Sequence, residues 1–187
     1  MTRLVLATGN PHKLDELRAS LPAFELELLG DVGAAPDENG TTYEANARIK
    51  ALFGRRHVGS EAWVVGEDSG IEAAALDGRP GINSARWAAD GLARLLAELE
   101  PHADRRVAYV CTIVAVAPDG REVTVTGTLE GVAALAPSGS EGFGYDPIFV
   151  PVGEQATVAA LGDGWKHRHS HRARAAAQLA VLLEEFR

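Results

Sequence analysis

Cysteine is nearly absent from this chain of 187 residues: Cys111 is the only one, so no disulfide can form within the chain. Long apolar runs are also missing, because none approaches the roughly 20 residues that a membrane-spanning helix needs. The N-terminal sequence, MTRLVLATGN, holds one basic residue and an apolar run too short for a signal peptide. These absences favour a protein of the reducing cytoplasm with no membrane partner. Cys111 lies in a strand-like run, which favours a packed core thiol over a catalytic nucleophile.

Positive charge is scarce as well, since 18 Lys and Arg face 26 Asp and Glu and the net charge is −8. Such a chain lacks the broad positive field that attracts duplex nucleic acid, so we expect no nucleic-acid partner. The basic residues are concentrated in KHRHSHRAR, residues 166–174, which holds four of the 18 Lys and Arg and three of the six His. This concentration predicts a local site for an anion.

The length is typical of one domain, which we place at residues 1–187, with no repeat and no low-complexity linker. Helices and strands follow one another in mixed order, which is typical of a layered α/β or α+β fold. The tripeptide PDG between two long strand-like runs is a hairpin signal, so the predicted sheet is not purely parallel. Strands are predicted at 3–7, 62–67, 106–117 and 121–131. Residues 22–42 are predicted as loop with at most one strand, and residues 139–151 as a glycine-rich loop with a short strand. Helices are predicted after TGNPH, over 42–56, through LARLLAEL and over 170–186.

The turn TGNPHK, residues 8–13, lies where the first strand passes into the first helix. Unpaired amides and the dipole at a helix start favour an anion, Gly9 permits close approach of a ligand, and Lys13 adds a positive charge. The chain has no Walker A sequence. A plain strand–helix turn is the alternative interpretation.

Two adjacent acids, Glu67 and Asp68, follow the buried run AWVVG, and we interpret them as the end of that strand. Ligands gather at the carboxyl ends of strands in α/β sheets, and Mg²⁺ prefers carboxylate oxygens. The alternative is a simple turn that closes the strand. Glu44 stands three residues after Thr41, so it is either part of a capping box or a metal ligand.

In the same predicted helix, Asn46 and Lys50 are four residues apart and therefore share a face. Near the C-terminus, Ser170 is a natural N-cap, and the basic residues that follow it oppose the helix dipole unless an anion lies between them. The alternatives there are a transition-metal site built from the histidines or a solvated basic face. In GFGYDP, Phe143 lies between two glycines and could stack on a base, and the alternative is a tight turn with one core aromatic residue. Together these motifs predict a nucleoside triphosphate site.

Five blocks of the chain resemble the inosine/xanthosine triphosphate pyrophosphatases in order and approximate spacing: LATGNPHKLDEL, YEANARIKA, EDSGIEAAALDGRPGINSARWA, GFGYDPIFVP and SHRARA. The resemblance runs from residue 4 to the last helix. It implies an elongated α/β fold in which a central mixed sheet is flanked by helices, with two lobes and an active-site cleft between them. It also implies dependence on Mg²⁺ and a homodimer.

The resemblance further implies roles for individual residues. Asp68 would be the general base and, with Glu44, a ligand of Mg²⁺. The substrate would be held by Thr8, Gly9, Asn10, Pro11, His12, Lys13, Lys50, Ser69, Phe143, Gly144, Tyr145, Asp146, Lys166, His171 and Arg172, the first six on the triphosphate and the last seven at the base and sugar.

The chain departs from the family in three places. The family commonly has Asp-Asp-Ser-Gly where this chain has Glu67 in first position, so we assign no base role to Glu67. The segment WAADGLARLL is shorter than usual, and KHRHSHR is more basic. The expected activity is hydrolysis of ITP, dITP and XTP to the monophosphate and pyrophosphate. The alternatives are a nucleotide-binding sensor without turnover and a pyrophosphatase for other modified nucleotides.

Overall fold

A computed structural model describes residues 2–186, and its strands form one mixed six-stranded sheet in the order β2-β1-β3-β4-β5-β6. The strands are β1 (Thr2–Leu6), β2 (Phe24–Leu28), β3 (Trp63–Ala73), β4 (Arg106–Val116), β5 (Glu122–Ala133) and β6 (Phe149–Pro151). The helices are α1 (Pro11–Ser20), α2 (Tyr43–Arg55), α3 (Gly91–Leu99), α4 (Val158–Leu161), α5 (Asp163–His169) and α6 (His171–Glu184). β1 pairs in parallel with β2 and with β3, whereas β6 is antiparallel to β5. The predicted mixed sheet flanked by helices is confirmed.

The chain divides into two compact units. Unit 1 comprises residues 1–68, 111–127 and 172–187, and unit 2 comprises residues 69–110 and 128–171. The long strands β3, β4 and β5 each contribute residues to both units. The assignment of residues 1–187 to one domain stays a prediction.

Unit 1 packs helices on both faces of its part of the sheet. On one face, Leu17 of α1 and Leu179 of α6 belong to the same apolar core as Ile113 of β4. On the other face, Ala47 and Ala51 of α2 pack with the alternate residues of β4. Because side chains alternate along a strand, neighbouring residues of β3 and β4 face different helices. This arrangement decides where the acids of β3 point.

Unit 2 has an apolar core of its own, which joins β3, β4 and β5 to α3 and to the segment that contains β6. Leu95 and Leu99 of α3 are fully buried in it, as are Ile148 and Phe149. None of the helices within residues 2–186 is both long and apolar enough to cross a membrane.

Candidate active site

The alternation of side chains along β3 sends its two adjacent acids to opposite faces of the sheet. Val65 belongs to the core that contains α1 and α6, so Glu67 points to that face. Gly66 lies directly against α2, where an added Cβ would stand 2.0 Å from the carbonyl oxygen of Ala47. Asp68 follows two residues later and therefore points to α2. Each acid thus meets its own set of partners within unit 1.

Asp68 contacts two side chains of α2. Asn46 Nδ2 donates to Asp68 Oδ2 at 3.1 Å, and Lys50 Nζ lies 3.3 Å from Asp68 Oδ1. Lys50 Nζ also donates to Glu38 Oε2 at 2.9 Å, so two carboxylates share one ammonium group. Burial raises the pKa of Asp68 above its usual value, although the charge of Lys50 and the hydrogen bond from Asn46 oppose the rise. The predicted common face of Asn46 and Lys50 is confirmed.

Glu67 is fully buried between two cations. Lys13 Nζ lies 2.5 Å from Glu67 Oε2, and Arg172 Nη2 lies 2.9 Å from Glu67 Oε1. Cys111 Sγ donates to the same Oε1 at 3.2 Å, and Arg172 also binds Glu16. Burial by itself would raise the pKa of Glu67, but the charges of Lys13 and Arg172 hold that pKa well below its usual value. Cys111 is a buried core thiol, as predicted.

The two acids do not end β3, and this part of the sequence interpretation is wrong. The strand continues to Ala73, so Glu67 and Asp68 lie in its interior. Carboxylates are tolerated there because Lys13 and Arg172 meet the first and Lys50 meets the second. Ser69, the predicted substrate contact, is half-buried in the same strand.

More backbone amides of the turn before α1 form hydrogen bonds within the turn than the sequence indicates. Asn10 caps the helix by accepting from the amide of His12 at 3.0 Å, and Pro11 is its first residue. The amide of Asn10 donates to Thr8 Oγ1 at 3.2 Å, and the amide of Lys13 donates to the carbonyl oxygen of Asn10. Three amides of the predicted phosphate turn therefore bond within the turn. The Lys13 ammonium group and the exposed backbone at Gly9 remain able to bind phosphate.

The position of Glu44 speaks against its predicted role as a metal ligand. The side chain of Glu44 is 49% exposed and pairs with Arg48 at 2.8 Å. At about 100° per residue, Glu44 faces well away from the direction of Asn46 and Lys50, which meet Asp68. The alternative capping box with Thr41 is wrong, because Thr42 is the N-cap and accepts from the amide of Ala45. A metal role for Glu44 stays a prediction that no contact supports.

In unit 2, the carboxylate of Asp146 organises the loop GFGYDP, residues 142–147, which we call the aromatic loop. Its Oδ2 accepts from Lys166 Nζ at 2.6 Å and from the amide of Phe143 at 2.8 Å, and its Oδ1 accepts from Tyr109 Oη at 3.0 Å. Lys166 Nζ lies 3.9 Å from the centre of the Phe143 ring. These contacts fix a half-buried aromatic ring beside a buried ammonium group.

The remaining predicted residues of this loop and of the basic segment divide between the two units. Gly144 has a φ of +64°, which permits the sharp turn, and Tyr145 is buried and donates to the carbonyl oxygen of Ser84. The His171 ring stacks on Tyr109 with 4.7 Å between ring centres, in unit 2. Arg172 belongs to unit 1, among Glu16 and Glu67.

The basic residues at the start of α6 predict a bound anion. At Arg172, two carboxylates of the protein itself, Glu16 and Glu67, take the place of that anion. The predicted contact of Arg172 with the base and sugar gains no support from this position. The alternative transition-metal site is not formed: within residues 2–186, no group of three or more His, Cys, Asp or Glu is arranged to hold a metal ion.

Sequence reasoning missed three residues of these clusters, Glu16, Glu38 and Tyr109. Glu38 lies in a segment predicted as loop, and no periodicity marks it. Glu16 stands three residues after Lys13 on α1, a helical spacing that could have indicated a common environment. Tyr109 lies in a strand that was correctly predicted, but nothing in the strand pattern indicates a partner for its hydroxyl group.

Comparison with known proteins identifies the family. A family model described as "Ham1 family" matches residues 4–182. The dITP/XTP pyrophosphatase of Symbiobacterium thermophilum is 46% identical over 195 residues, which cover 98% of each chain. That of Bdellovibrio bacteriovorus is 41% identical over 196 residues, covering 98% of this chain and 96% of the relative. The solved structure of the Staphylococcus aureus Ham1 protein superposes with a TM-score of 0.88 at 32% identity, with both chains covered in full. This chain belongs to the Ham1 family.

Proposed function

We propose that this protein hydrolyses deaminated purine nucleoside triphosphates, namely dITP, ITP and XTP, to the monophosphate and pyrophosphate. The observation that carries the proposal is the match, over nearly the whole of both chains, to relatives named dITP/XTP pyrophosphatases. Unit 1 offers the ammonium groups of Lys13 and Lys50 and the carboxylate of Asp68, and unit 2 offers the aromatic loop. Groups of these kinds fit a nucleotide substrate.

In this proposal the triphosphate is bound in unit 1. The ammonium group of Lys13 is held by one carboxylate and that of Lys50 by two. Since an ammonium group has three N–H bonds, each still has a donor to offer. Thr8 and Asn10 shape the turn that brings Lys13 to the start of α1. Positive groups fixed in advance stabilise the charge that develops on phosphate oxygens.

Asp68 is the proposed general base. It takes a proton from the water whose oxygen attacks the α-phosphorus, and the bond from that phosphorus to the bridging oxygen breaks, so that pyrophosphate leaves. A base is most effective when its pKa lies near the working pH. Burial raises the pKa of Asp68, whereas Lys50, Asn46 and a bound Mg²⁺ would each lower it. Asn46 and Lys50 fix the orientation of the carboxylate.

A magnesium ion is part of the proposal, and the residues around Lys50 fit it. Glu38 and Asp68 converge on one ammonium group, so their oxygens occupy an environment that already accommodates a cation. Carboxylate oxygens are preferred ligands of Mg²⁺, which usually takes one or two of them together with substrate phosphates. When bound, the ion would neutralise charge on the triphosphate. Glu38 is therefore our candidate ligand beside Asp68, in the place that the sequence gave to Glu44.

The base is assigned to the aromatic loop of unit 2. Phe143 offers a ring on which any base can stack. Lys166 is a donor without acceptor capacity, so it favours the oxygen at C6 of inosine and xanthosine over the amino group of adenosine. Discrimination by buried donors of this kind reaches roughly 10⁴. A homodimer and a cytoplasmic location, where nucleotide pools are maintained, complete the proposal.

The test is release of pyrophosphate from dITP, XTP, dATP and dGTP by the wild-type protein with Mg²⁺. We expect kcat/KM for dITP and XTP to exceed the values for dATP and dGTP by about 10² or more. Asp68→Asn preserves shape and removes the base, so turnover should fall by roughly 10²–10⁴.

Four results would contradict the proposal. Orthophosphate as the only phosphorus product would exclude a pyrophosphatase. Tight binding of triphosphate without turnover would instead indicate a nucleotide sensor, and a preference for another nucleotide would indicate a different pyrophosphatase. Turnover by Asp68→Asn within about tenfold of wild type would remove Asp68 from the role of base.

A further inference from the structure

Glu67 lies in a cluster of four charged side chains that the proposed reaction leaves unexplained. The cluster consists of two cations, Lys13 and Arg172, and two carboxylates, Glu16 and Glu67. The formal charges cancel. All four residues belong to unit 1, and Glu67 faces away from the α2 side, to which Asp68 points.

Burial in this cluster is graded. The side chains of Glu67 and Arg172 are 0% and 1% exposed, and that of Glu16 is 7% exposed. Lys13 is the most accessible member, with 14% of its side chain exposed. The chain of contacts therefore runs from Glu16 through Arg172 and Glu67 to an ammonium group that solvent can reach.

Stability alone is a weak reason for such an arrangement. The cost of removing charges from water can exceed the attraction between them, and apolar residues of similar volume often serve as well. A carboxylate that a buried guanidinium group holds in one position can, however, fix the position of a third charged group. Arg172 donates to Glu67 Oε1 from both Nε and Nη2, at 3.3 Å and 2.9 Å, which leaves Oε2 directed at Lys13.

We propose that Glu67 is a positioning residue, which holds the Lys13 ammonium group in place for the triphosphate while Arg172 holds Glu67. The inference rests on the proposed function, because it assigns Lys13 to the substrate. Glu67 and Asp68 then have separate tasks: Asp68 acts on the reacting water, and Glu67 acts through Lys13. Glu67 neither touches the substrate nor transfers a proton.

The experiment compares Glu67→Gln with a matched control, Glu16→Gln. Each variant removes one carboxylate charge from Arg172 and keeps the shape of the side chain. The ion pair with Lys13, however, is made by Glu67. For Glu67→Gln we expect kcat on dITP to fall at least tenfold. The Kd of a non-hydrolysable dITP analogue should change less than threefold or become tighter, because the cluster gains a net positive charge. For Glu16→Gln we expect kcat within about threefold of wild type.

A double-mutant cycle with Lys13→Met tests whether Glu67 acts through Lys13. The loss caused by Glu67→Gln should largely disappear when Lys13 is already Met. If Glu67→Gln does not fold, as judged by thermal melting, Glu67→Asp keeps the charge and carries the same cycle. The inference is overturned if the Glu67 variant turns over like wild type, if both Gln variants lose kcat equally, or if the loss is unchanged with Lys13→Met. Failure of the proposed function is a different result, since the wild-type protein would then release no pyrophosphate.

Discussion

Lys50 draws two carboxylates together that would otherwise repel each other. Its ammonium group lies 2.9 Å from Glu38 Oε2 and 3.3 Å from Asp68 Oδ1. Burial by itself lowers the pKa of Lys50, but the charge of Asp68 and the hydrogen bond to Glu38 raise it overall, so the lysine stays charged. Two carboxylates and one ammonium group leave a net charge of −1, so the group still attracts a cation, and we propose that Mg²⁺ binds there.

Two residues are candidates for the Mg²⁺ ligand beside Asp68: Glu38, from the structure, and Glu44, from the sequence. Removing each carboxylate in turn should separate these two predictions. Glu38→Gln should raise the Mg²⁺ concentration for half-maximal activity about tenfold or more, because it removes a proposed ligand. Glu44→Gln, the matched control on the exposed face of α2, should change that concentration less than twofold. Calorimetric titration of Mg²⁺ into the complex with a non-hydrolysable triphosphate gives a second measurement. Loss of metal affinity in Glu44→Gln alone would restore the prediction made from the sequence.

Cys111 should be unreactive in the folded protein. Burial, followed by the neighbouring charge of Glu67, raises the pKa of its thiol well above the usual 9.0. The native protein therefore holds a protonated thiol through pH 9. Above pH 9 the unfolded chain loses its thiol proton while the folded protein keeps it, so the free energy of unfolding falls as the pH rises toward the raised pKa. We expect the rate of labelling by a thiol reagent to stay near zero from pH 7 to pH 9, and labelling to become rapid in denaturant. Labelling of the folded protein that accelerates tenfold per pH unit would show an exposed thiol instead.

The packing of α2 on β3 depends on the absence of one side chain. Gly66 has no room for a Cβ, which would stand 2.0 Å from the carbonyl oxygen of Ala47 and 2.6 Å from the amide nitrogen of Ala51. Both are backbone atoms of α2, so the helix itself would have to move. The same helix carries Asn46 and Lys50 to Asp68, and a close helix–strand contact therefore sets the geometry of the proposed base.

Gly66→Ala should consequently reduce both stability and activity. We expect a loss of about 3 kcal/mol in the free energy of unfolding, because overpacking against backbone cannot be relieved by a change of rotamer. Gly59→Ala is the control, since an added Cβ there meets nothing within 4 Å and should cost less than about 0.5 kcal/mol. Urea unfolding measures the free energy of unfolding of both variants. A Gly66→Ala protein as stable as the control would mean that α2 is not held closely against β3.

Periodicity and turn chemistry predicted most helices and strands, and the failures have local causes. The hairpin of β4 and β5, the short strand β6 and the helices α1, α2, α3 and α6 were all predicted. The short helices α4 and α5 were missed because four and seven residues are too few to establish an apolar period. The end of β3 was misplaced because two adjacent charges indicate a solvated turn, and their partners come from α1, α2 and α6.

Charge matters in this chain as a net charge and as pairs of individual side chains, and the sequence reveals only the first. The net charge of −8 could be counted. Lys13, Asp68, Phe143 and Lys166 could also be named from motifs, and their roles in the proposed reaction stay predictions. What could not be predicted is which carboxylate each cation meets, since Arg172 and Glu67 are separated by 105 positions and only the folded sheet brings them together.

This internal pairing bears on the partners of the molecule. Three cations that the sequence predicts as substrate contacts, Arg172, Lys166 and Lys50, are buried and paired with carboxylates, so they add little to an external positive field. Duplex DNA binds proteins by displacing its counterions with exposed Lys and Arg, and even non-specific binders reach a Kd of roughly 10⁻⁴–10⁻⁶ M. We therefore expect fluorescence anisotropy of a labelled duplex to show no binding at 100 µM protein. Lowering the salt from 150 to 50 mM should leave this unchanged, because an acidic surface repels phosphate more strongly when screening is weaker. A labelled triphosphate analogue bound by the same preparation is the positive control, and duplex binding that strengthens at low salt would contradict the prediction.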